Sequence, residues 1–336
     1  MCRKVKVGVV GLGNQGILHV AALKEVGEAD LVSVADMNRE RARHVAEEYR
    51  VDNFHYSALD LCKNPEIDAV IVATPDHLHF EPVMIALENG KHVLVEKPMS
   101  TKLEEAEKMS LEAKKRNLFL MVNFENRFNP PFRYVKELLQ GDELGTPLHA
   151  YIRLNDAISV PLGMLSWASK SSVAFFLMSH TVDLARWYFT GPVREVYATS
   201  VTKVLRDLGT PDAYGAILKF DEGFALLESS WVLPETSPSI FDFKLELVCT
   251  KGAVHVDTEK ENISISSSRG YIFPHLAKQY RVNKTIVGFL KEVDRHFVRC
   301  ILGSSEPALT ADDGVENVRV IEAVIRSSSE GKPVKL

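Results

Sequence analysis

In the first third of the chain the apolar residues gather in short β-branched runs: Val5 to Val10, Leu31 to Ala35, Ala69 to Ala73, His92 to Val95 and Leu118 to Val122. These runs are nearly continuous rather than alternating, as strands covered on both faces require. Between them, Arg39 to Tyr49, Phe80 to Asn89 and Lys102 to Arg116 carry helical periodicity. Strands and helices in alternation predict βαβ units and a parallel, doubly wound sheet. Thr101-Lys102-Leu103-Glu104 reads as a capping box opening the last of these helices.

The pattern changes after Pro130-Pro131. A helix is expected from about Phe132 to Leu139, followed by Gly145-Thr146-Pro147. Tyr214 to Phe220 and Phe224 to Trp231 read as strands joined at Asp221-Glu222-Gly223. Phe241 to Leu247 alternates strictly, as a strand with one wet face should, and Lys251-Gly252 turns it into Ala253 to Asp257. Connections this short make antiparallel pairs. The expected class is therefore α/β plus α+β. Residues 1–123 form a doubly wound parallel domain, and residues 124–336 an open, mainly antiparallel sheet with helices on one face. A closing helix from Asp313 to Ser328 is free to pack back on the first domain.

Composition narrows the function classes. The 336 residues are 46% apolar and 25% charged, with 40 Lys+Arg against 45 Asp+Glu and no dense basic run, which disfavours a nucleic-acid partner. Cys2, Cys62, Cys249 and Cys300 form no C-x-x-C pair and no disulfide framework, so a reducing cytoplasm is expected. Lys6 and the glycines after it interrupt the apolar N-terminus before it reaches signal-peptide length. No apolar run approaches the roughly 20 residues of a membrane span. A soluble protein is expected.

The chemistry begins at Gly11-Leu12-Gly13-Asn14-Gln15-Gly16. A G-x-G-x-x-G alone is weak, but this one follows a predicted strand and opens a helical pattern. There the glycines permit a tight turn, close approach to a pyrophosphate and helix–strand packing. The helix N-terminus would stabilise the phosphate charge. Asp36 ends the second strand about 20 residues further on, where a carboxylate meets the adenosine ribose and repels a 2′-phosphate. NAD is favoured over NADP, and Arg39 and Arg41 are the residues that soften this preference by offering charge to a 2′-phosphate. Flavin- and S-adenosylmethionine-binding domains use a similar turn and stay open on these residues alone. Glu96-Lys97-Pro98 ends the fifth strand, so Lys97 faces the crevice outside the strands' carboxyl ends. An amine there can hold a developing alkoxide or exchange its proton. Taken by themselves, His77 and His79 read as an exposed pair at a helix start. Spaced two apart with no acidic cluster, they make a poor metal site, and no metal is expected.

Together the glycine-rich turn, Ala73-Thr74-Pro75-Asp76-His77-Leu78-His79, Glu96-Lys97-Pro98 and Asn126-Arg127-Phe128-Asn129-Pro130 resemble the glucose–fructose oxidoreductase / inositol dehydrogenase / rhizopine-catabolism (Gfo/Idh/MocA) family. The likeness continues through Gly145-Thr146-Pro147 and His180-Thr181-Val182-Asp183 to Leu309-Thr310-Ala311-Asp312-Asp313-Gly314. It implies a Rossmann domain followed by a substrate domain built on an open, mainly antiparallel sheet. It also implies a homodimer or homotetramer through that sheet, and NAD(P)-dependent oxidation or reduction of a sugar, cyclitol or related polyol. By the same likeness Thr74, Pro75 and His79 line the nicotinamide side and Glu96 the nicotinamide ribose. Arg127 belongs to the substrate-binding set.

One position departs from the family. The inositol dehydrogenase branch carries D-x-x-x-H-x-x-D, and this chain reads Phe176-Leu177-Met178-Ser179-His180-Thr181-Val182-Asp183. His180 and Asp183, three apart, share a helix face. The expectation is that His180 exchanges the proton with Lys97 assisting, since an imidazole titrates near neutral pH. Asp183 binds a substrate hydroxyl, and Trp167, Phe175 and Phe176 make the pocket more apolar than an inositol site. The rival class is a non-catalytic NAD(P) sensor on the same fold, because loss of an acid is how such drift would begin.

Overall fold

The computed structural model describes residues 3–259, 265–267, 270–272, 277–282 and 285–336. It divides into two compact units, residues 1–128 with 277–316 and residues 129–276 with 317–336.

The first unit is built on six parallel strands, β1 (Val5–Val10), β2 (Ala29–Ala35), β3 (Asn53–His55), β4 (Ala69–Val72), β5 (His92–Glu96) and β6 (Leu120–Asn123). Their spatial order is β3-β2-β1-β4-β5-β6. The order reverses between β1 and β4, which leaves a crevice outside the strands' carboxyl ends. Every residue of β4 and β6 is buried, in keeping with the continuous apolar runs. The helices α1 (Asn14–Leu23), α2 (Arg39–Tyr49), α3 (Ala58–Cys62), α4 (Phe80–Glu88) and α5 (Leu103–Lys115) connect them. Asn38 caps α2 by accepting the Arg41 N–H.

Two details differ from expectation. The edge strand β3 has only three residues, none fully buried, so it carried no apolar signal. The capping box at Thr101 is also not formed. The cap of α5 is Lys102, whose N–H donates to Ser100 Oγ, while that hydroxyl donates to Glu105. The serine one residue earlier takes the role because its hydroxyl reaches both groups.

The second unit opens with α6 (Pro130–Gln140), whose first two positions are prolines, residues suited to a helix start. Its seven-stranded sheet contains β7 (Pro147–Ala157), β8 (Glu195–Val201), β9 (Ala213–Phe220), β10 (Gly223–Leu233), β11 (Phe241–Cys249) and β12 (Ala253–Asp257). Helix α7 (Ser179–Phe189) packs on β7 and β10. A short hairpin, β13 (Ile265–Ser267) with β14 (Gly270–Ile272), follows in this unit, while the hairpin of β15 (Tyr280–Val282) with β16 (Thr285–Val287) and helix α8 (Phe289–Ile301) belong to the first unit. The chain ends with α9 (Ala311–Glu330), whose residues up to Glu316 count with the first unit, and β17 (Val334–Lys335). The sheet order is β12-β11-β7-β10-β9-β8-β17. Every pair is antiparallel except β7 with β10, which run parallel because the long excursion through α7, β8 and β9 brings the chain back beside β7 in the same direction.

Alternation sorts this sheet into two faces. Leu218, Ala225, Leu227, Phe243, Leu245 and Leu247 are buried on one. On the other, Tyr197, Ile217, Leu226 and Tyr151 are register partners in a row across four strands. Tyr197, Ile217 and Leu226 of that row are exposed.

Candidate active site

In the first unit the three glycines serve three different purposes. Gly11 adopts φ +88°, and a Cβ there would sit 2.6 Å from the Ala73 carbonyl oxygen. Gly16 lies so close to the Gly11 carbonyl that a Cβ would overlap it. A Cβ on Gly13 would meet no protein atom within 4 Å. Gly13 is also the N-cap of α1 and offers no side-chain cap, and the first turn of α1 holds no acidic residue. The amides of Asn14, Gln15 and Gly16 thus open an uncompensated positive helix end. The side-chain oxygen of Gln15 is buried without a protein partner among the described residues. An open cradle and a bare helix end fit a dinucleotide pyrophosphate, whereas the orphaned Gln15 oxygen, an acceptor, suits a ligand hydroxyl.

Asp36 follows β2. One carboxylate oxygen accepts the Leu12 N–H at 2.8 Å, the other the Asn38 N–H at 2.8 Å, and Arg41 stands at 3.4 Å. The carboxylate is therefore locked beside the glycine turn. Thr74 and Pro75 follow β4, and the Thr74 hydroxyl donates to the Leu78 carbonyl. His79 corrects the reading of an exposed pair: it is 1% exposed, with Nδ1 2.8 Å from the Pro98 carbonyl and Nε2 2.9 Å from the Thr74 carbonyl. Packing of the segment against the strand ends turns the ring inward and ties the loops after β4 and β5 together.

Glu96 and Lys97 end β5, and the Lys97–Pro98 peptide is cis. Both side chains are buried. Burial lowers the Lys97 amine below its ordinary range; Glu96, Glu125 and Asp76 oppose that, and the Lys278 ammonium adds to it. Lys278 in turn pairs with Glu125 at 2.7 Å. Glu96 Oε1 accepts from Asn123 Nδ2 at 2.8 Å and from His19 Nε2 at 3.0 Å. His19 Nδ1 lies 2.7 Å from Asp294. Burial opposes ionisation of Glu96, but the His19 hydrogen bond and charge, with Lys278 and Lys97, hold it down at about 2.

Sequence reasoning missed His19, Asn123, Glu125, Lys278 and Asp294. Asp294 is 275 residues from His19, so no local pattern could pair them. His19 alone carried a signal, as a histidine on the buried face of the helix following the glycine turn.

Arg127 is 5% exposed, and its guanidinium donates to Asp313 at 3.0 Å and to the Ala308 carbonyl at 3.2 Å. These contacts clamp the turn Glu125–Arg127 to the start of α9 within the same unit.

In the second unit, His180 and Asp183 lie in the first turns of α7, both buried. A π-helical turn, Ala174–Met178, leads into α7 and carries Phe176. Phe176 packs against Trp167 with ring centroids 5.9 Å apart and against Trp231 at 5.7 Å. Asn317 Nδ2 donates to the Ser179 carbonyl and anchors the helix start. The structure thus groups the cofactor candidates and Lys97 in one unit. His180, Asp183, Phe176 and Trp167 are grouped in the other.

The model of the oxidoreductase family with an NAD-binding Rossmann fold matches residues 5–124, and that of the GFO/IDH/MocA C-terminal domain matches residues 132–255. The chain is 30% identical to a scyllo-inositol 2-dehydrogenase (NAD(+)) of Bacillus subtilis, over all of its own length and 97% of that enzyme. The chain belongs to the Gfo/Idh/MocA oxidoreductase family. A myo-inositol 2-dehydrogenase of Thermotoga maritima is 26% identical over 99% of this chain and 98% of its own. Among solved structures, GenD2 from gentamicin A biosynthesis in complex with NAD superposes with a TM-score of 0.87 at 22% identity, covering 100% of this chain and 97% of that one. This family member is an NAD(P)-dependent oxidoreductase of hydroxyl and keto groups in sugars and polyols. That assignment settles the enzyme against the sensor, and the dinucleotide against the flavin and S-adenosylmethionine readings. Among the described residues no helix is long and apolar enough to cross a membrane.

Proposed function

We propose that the enzyme exchanges a hydride between NAD and a secondary hydroxyl of a cyclitol or closely related ring polyol that presents one apolar face. His180 takes and returns the hydroxyl proton, Lys97 holds the oxygen as charge develops, and Asp183 binds a neighbouring hydroxyl. The bound nicotinamide supplies the hydride acceptor. The observation that carries this reading is Lys97: a lysine buried at a strand end, its proton affinity lowered, is suited to bonding a reacting oxygen rather than to surface charge. The cyclitol class rests on likeness to enzymes named for scyllo- and myo-inositol. The apolar face rests on Phe176, held between Trp167 and Trp231 where the inositol branch has an aspartate.

Asp36 supports NAD over NADP, since a carboxylate fixed by two backbone N–H groups cannot turn away from a 2′-phosphate. The committed Arg127 guanidinium favours a supporting part over direct substrate contact. The row Tyr197, Ile217, Leu226, Tyr151 supports a homo-oligomer through the open sheet face, a patch of the kind that marks an interface. Cysteine usage alone supports a cytoplasmic location.

The test is NADH formation on a panel of cyclitols, sugars and sugar acids by the wild type, Lys97→Ala and His180→Ala. Loss of at least about 100-fold in kcat is expected for each variant. Near-wild-type rates in both overturn the assignment.

A further inference from the structure

We infer that His19, clamped between Asp294 and Glu96, is a positioning residue for the reaction, fixing the Glu96 carboxylate and setting the electrostatic field at the Lys97 amine. The inference rests on the reading that Lys97 handles charge or a proton.

The geometry is closed on every side. His19 is 0% exposed and sits on α1, the helix that opens at the glycine turn. Its Nδ1 lies 2.7 Å from Asp294 Oδ1 on α8 and its Nε2 3.0 Å from Glu96 Oε1 at the end of β5. Two carboxylates, one at each ring nitrogen, favour the imidazolium, which can donate to both, while burial raises the Asp294 carboxyl against the pull of the His19 charge. Glu96 Oε1 also accepts from Asn123 on β6, and the other oxygen lies 3.2 Å from the Lys97 N–H. The carboxylate therefore cannot rotate without losing three bonds, two of them to other elements, α1 and β6. Burial opposes the charge on His19, and the charge and hydrogen bond of Asp294, then those of Glu96, overcome it and carry its pKa to about 10.

Three buried ionisable side chains are an expensive way to fill space. An apolar trio of the same volume would avoid the desolvation cost. What the charged trio adds is a fixed cation behind Glu96 and a fixed anion behind the cation. Of the trio, Glu96 acts on Lys97 directly, beside Glu125, Lys278 and Asp76, and His19 and Asp294 act on it through the charge and placement of Glu96. Removing the cation leaves Glu96 less compensated and raises the proton affinity of Lys97. Removing the anion does the reverse.

That opposition separates positioning from packing. Loosened packing admits water, and hydration raises a lysine depressed by burial in any variant. The experiment measures the pH dependence of Lys97 acetylation by a trace of acetic anhydride on the folded full-length protein, read at the Lys97 peptide by mass spectrometry. His19→Gln is expected to raise the apparent Lys97 pKa and Asp294→Asn to lower it. Each shift should be on the order of one pH unit, the size expected for a change of one charge in a buried cluster at an effective dielectric of about 20. If His19→Gln fails to fold, the downward shift in Asp294→Asn decides alone. Shifts upward in both variants, or none in either, overturn the inference. The pH profile of kcat, recorded in parallel, tests the underlying reading separately. If labelling moves in opposite directions and kcat does not follow, the field assignment stands and the proton role of Lys97 fails.

Discussion

Replacing Gly13 by alanine adds one methyl group at a point where the protein itself has nothing to meet. The backbone there is extended, at φ −72° and ψ −162°, which alanine adopts without strain, and no protein atom lies within 4 Å of the new Cβ. The folded state should lose no more than about 1 kcal/mol, the difference between glycine and alanine at an N-cap. The same methyl occupies the space through which a pyrophosphate reaches the amides of α1. Overfilling a close contact costs about 1–3 kcal/mol, so the NAD dissociation constant should rise roughly 5- to 150-fold. Gly16→Ala behaves differently, because its Cβ overlaps the Gly11 carbonyl, which is backbone and cannot swing aside. That variant should lose several kcal/mol of stability. Thermal unfolding and calorimetric NAD titration of both proteins separate the effects. Gly13→Ala with wild-type NAD affinity would refute the placement of the pyrophosphate over this turn.

Other outcomes follow from the same geometry. Asp36→Ser should shift the ratio of kcat/KM for NADP over NAD upward by about 10- to 100-fold, since it removes the charge that a 2′-phosphate meets; steady-state kinetics with both cofactors reads it. Phe176→Asp should raise kcat/KM on fully hydroxylated cyclitols, with a stability loss of about 3 kcal/mol from the Trp167 and Trp231 contacts, read by substrate-panel kinetics and by denaturant unfolding. Stability should also depend on pH at both ends, as urea unfolding would show. The Glu96 contribution is fully present above its unfolded value of 4.5 and fades as pH falls toward about 2. The His19 contribution is fully present below 6.5 and fades as pH rises toward about 10, so His19→Gln should flatten the alkaline limb. On the proposed homo-oligomer through the open sheet face, Ile217→Glu with Leu226→Lys should leave monomers where the wild type sediments as an oligomer.

The first unit was largely legible in the sequence because its strands are buried on both faces. The Val5–Val10 run matches β1 to the residue, and the spacing from Gly16 to Asp36 reflects one helix and one strand. The second unit was legible as alternation, which predicts antiparallel hairpins but is blind to the long excursion that makes β7 and β10 parallel. The site divides the same way. Glycines, Asp36 and Lys97 announce themselves by position relative to strand ends. His79 reads as exposed in the sequence because it follows Asp76 and His77 at a helix start, and only the folded loops show the two carbonyls that take its ring inward. The Asp294–His19–Glu96 chain joins residues from three distant segments, and nothing local in any of them encodes the other two.

The central claim, that Lys97 carries charge in an NAD(P)-dependent polyol oxidation, is tested most directly by kcat for Lys97→Met on the best cyclitol of the panel, with saturating cofactor. Methionine keeps much of the side chain's length and apolar bulk and removes the amine. A loss of at least about 100-fold in kcat is expected, with the fold and NAD affinity retained; a folded, NAD-binding Lys97→Met enzyme turning over at the wild-type rate would contradict that role for Lys97.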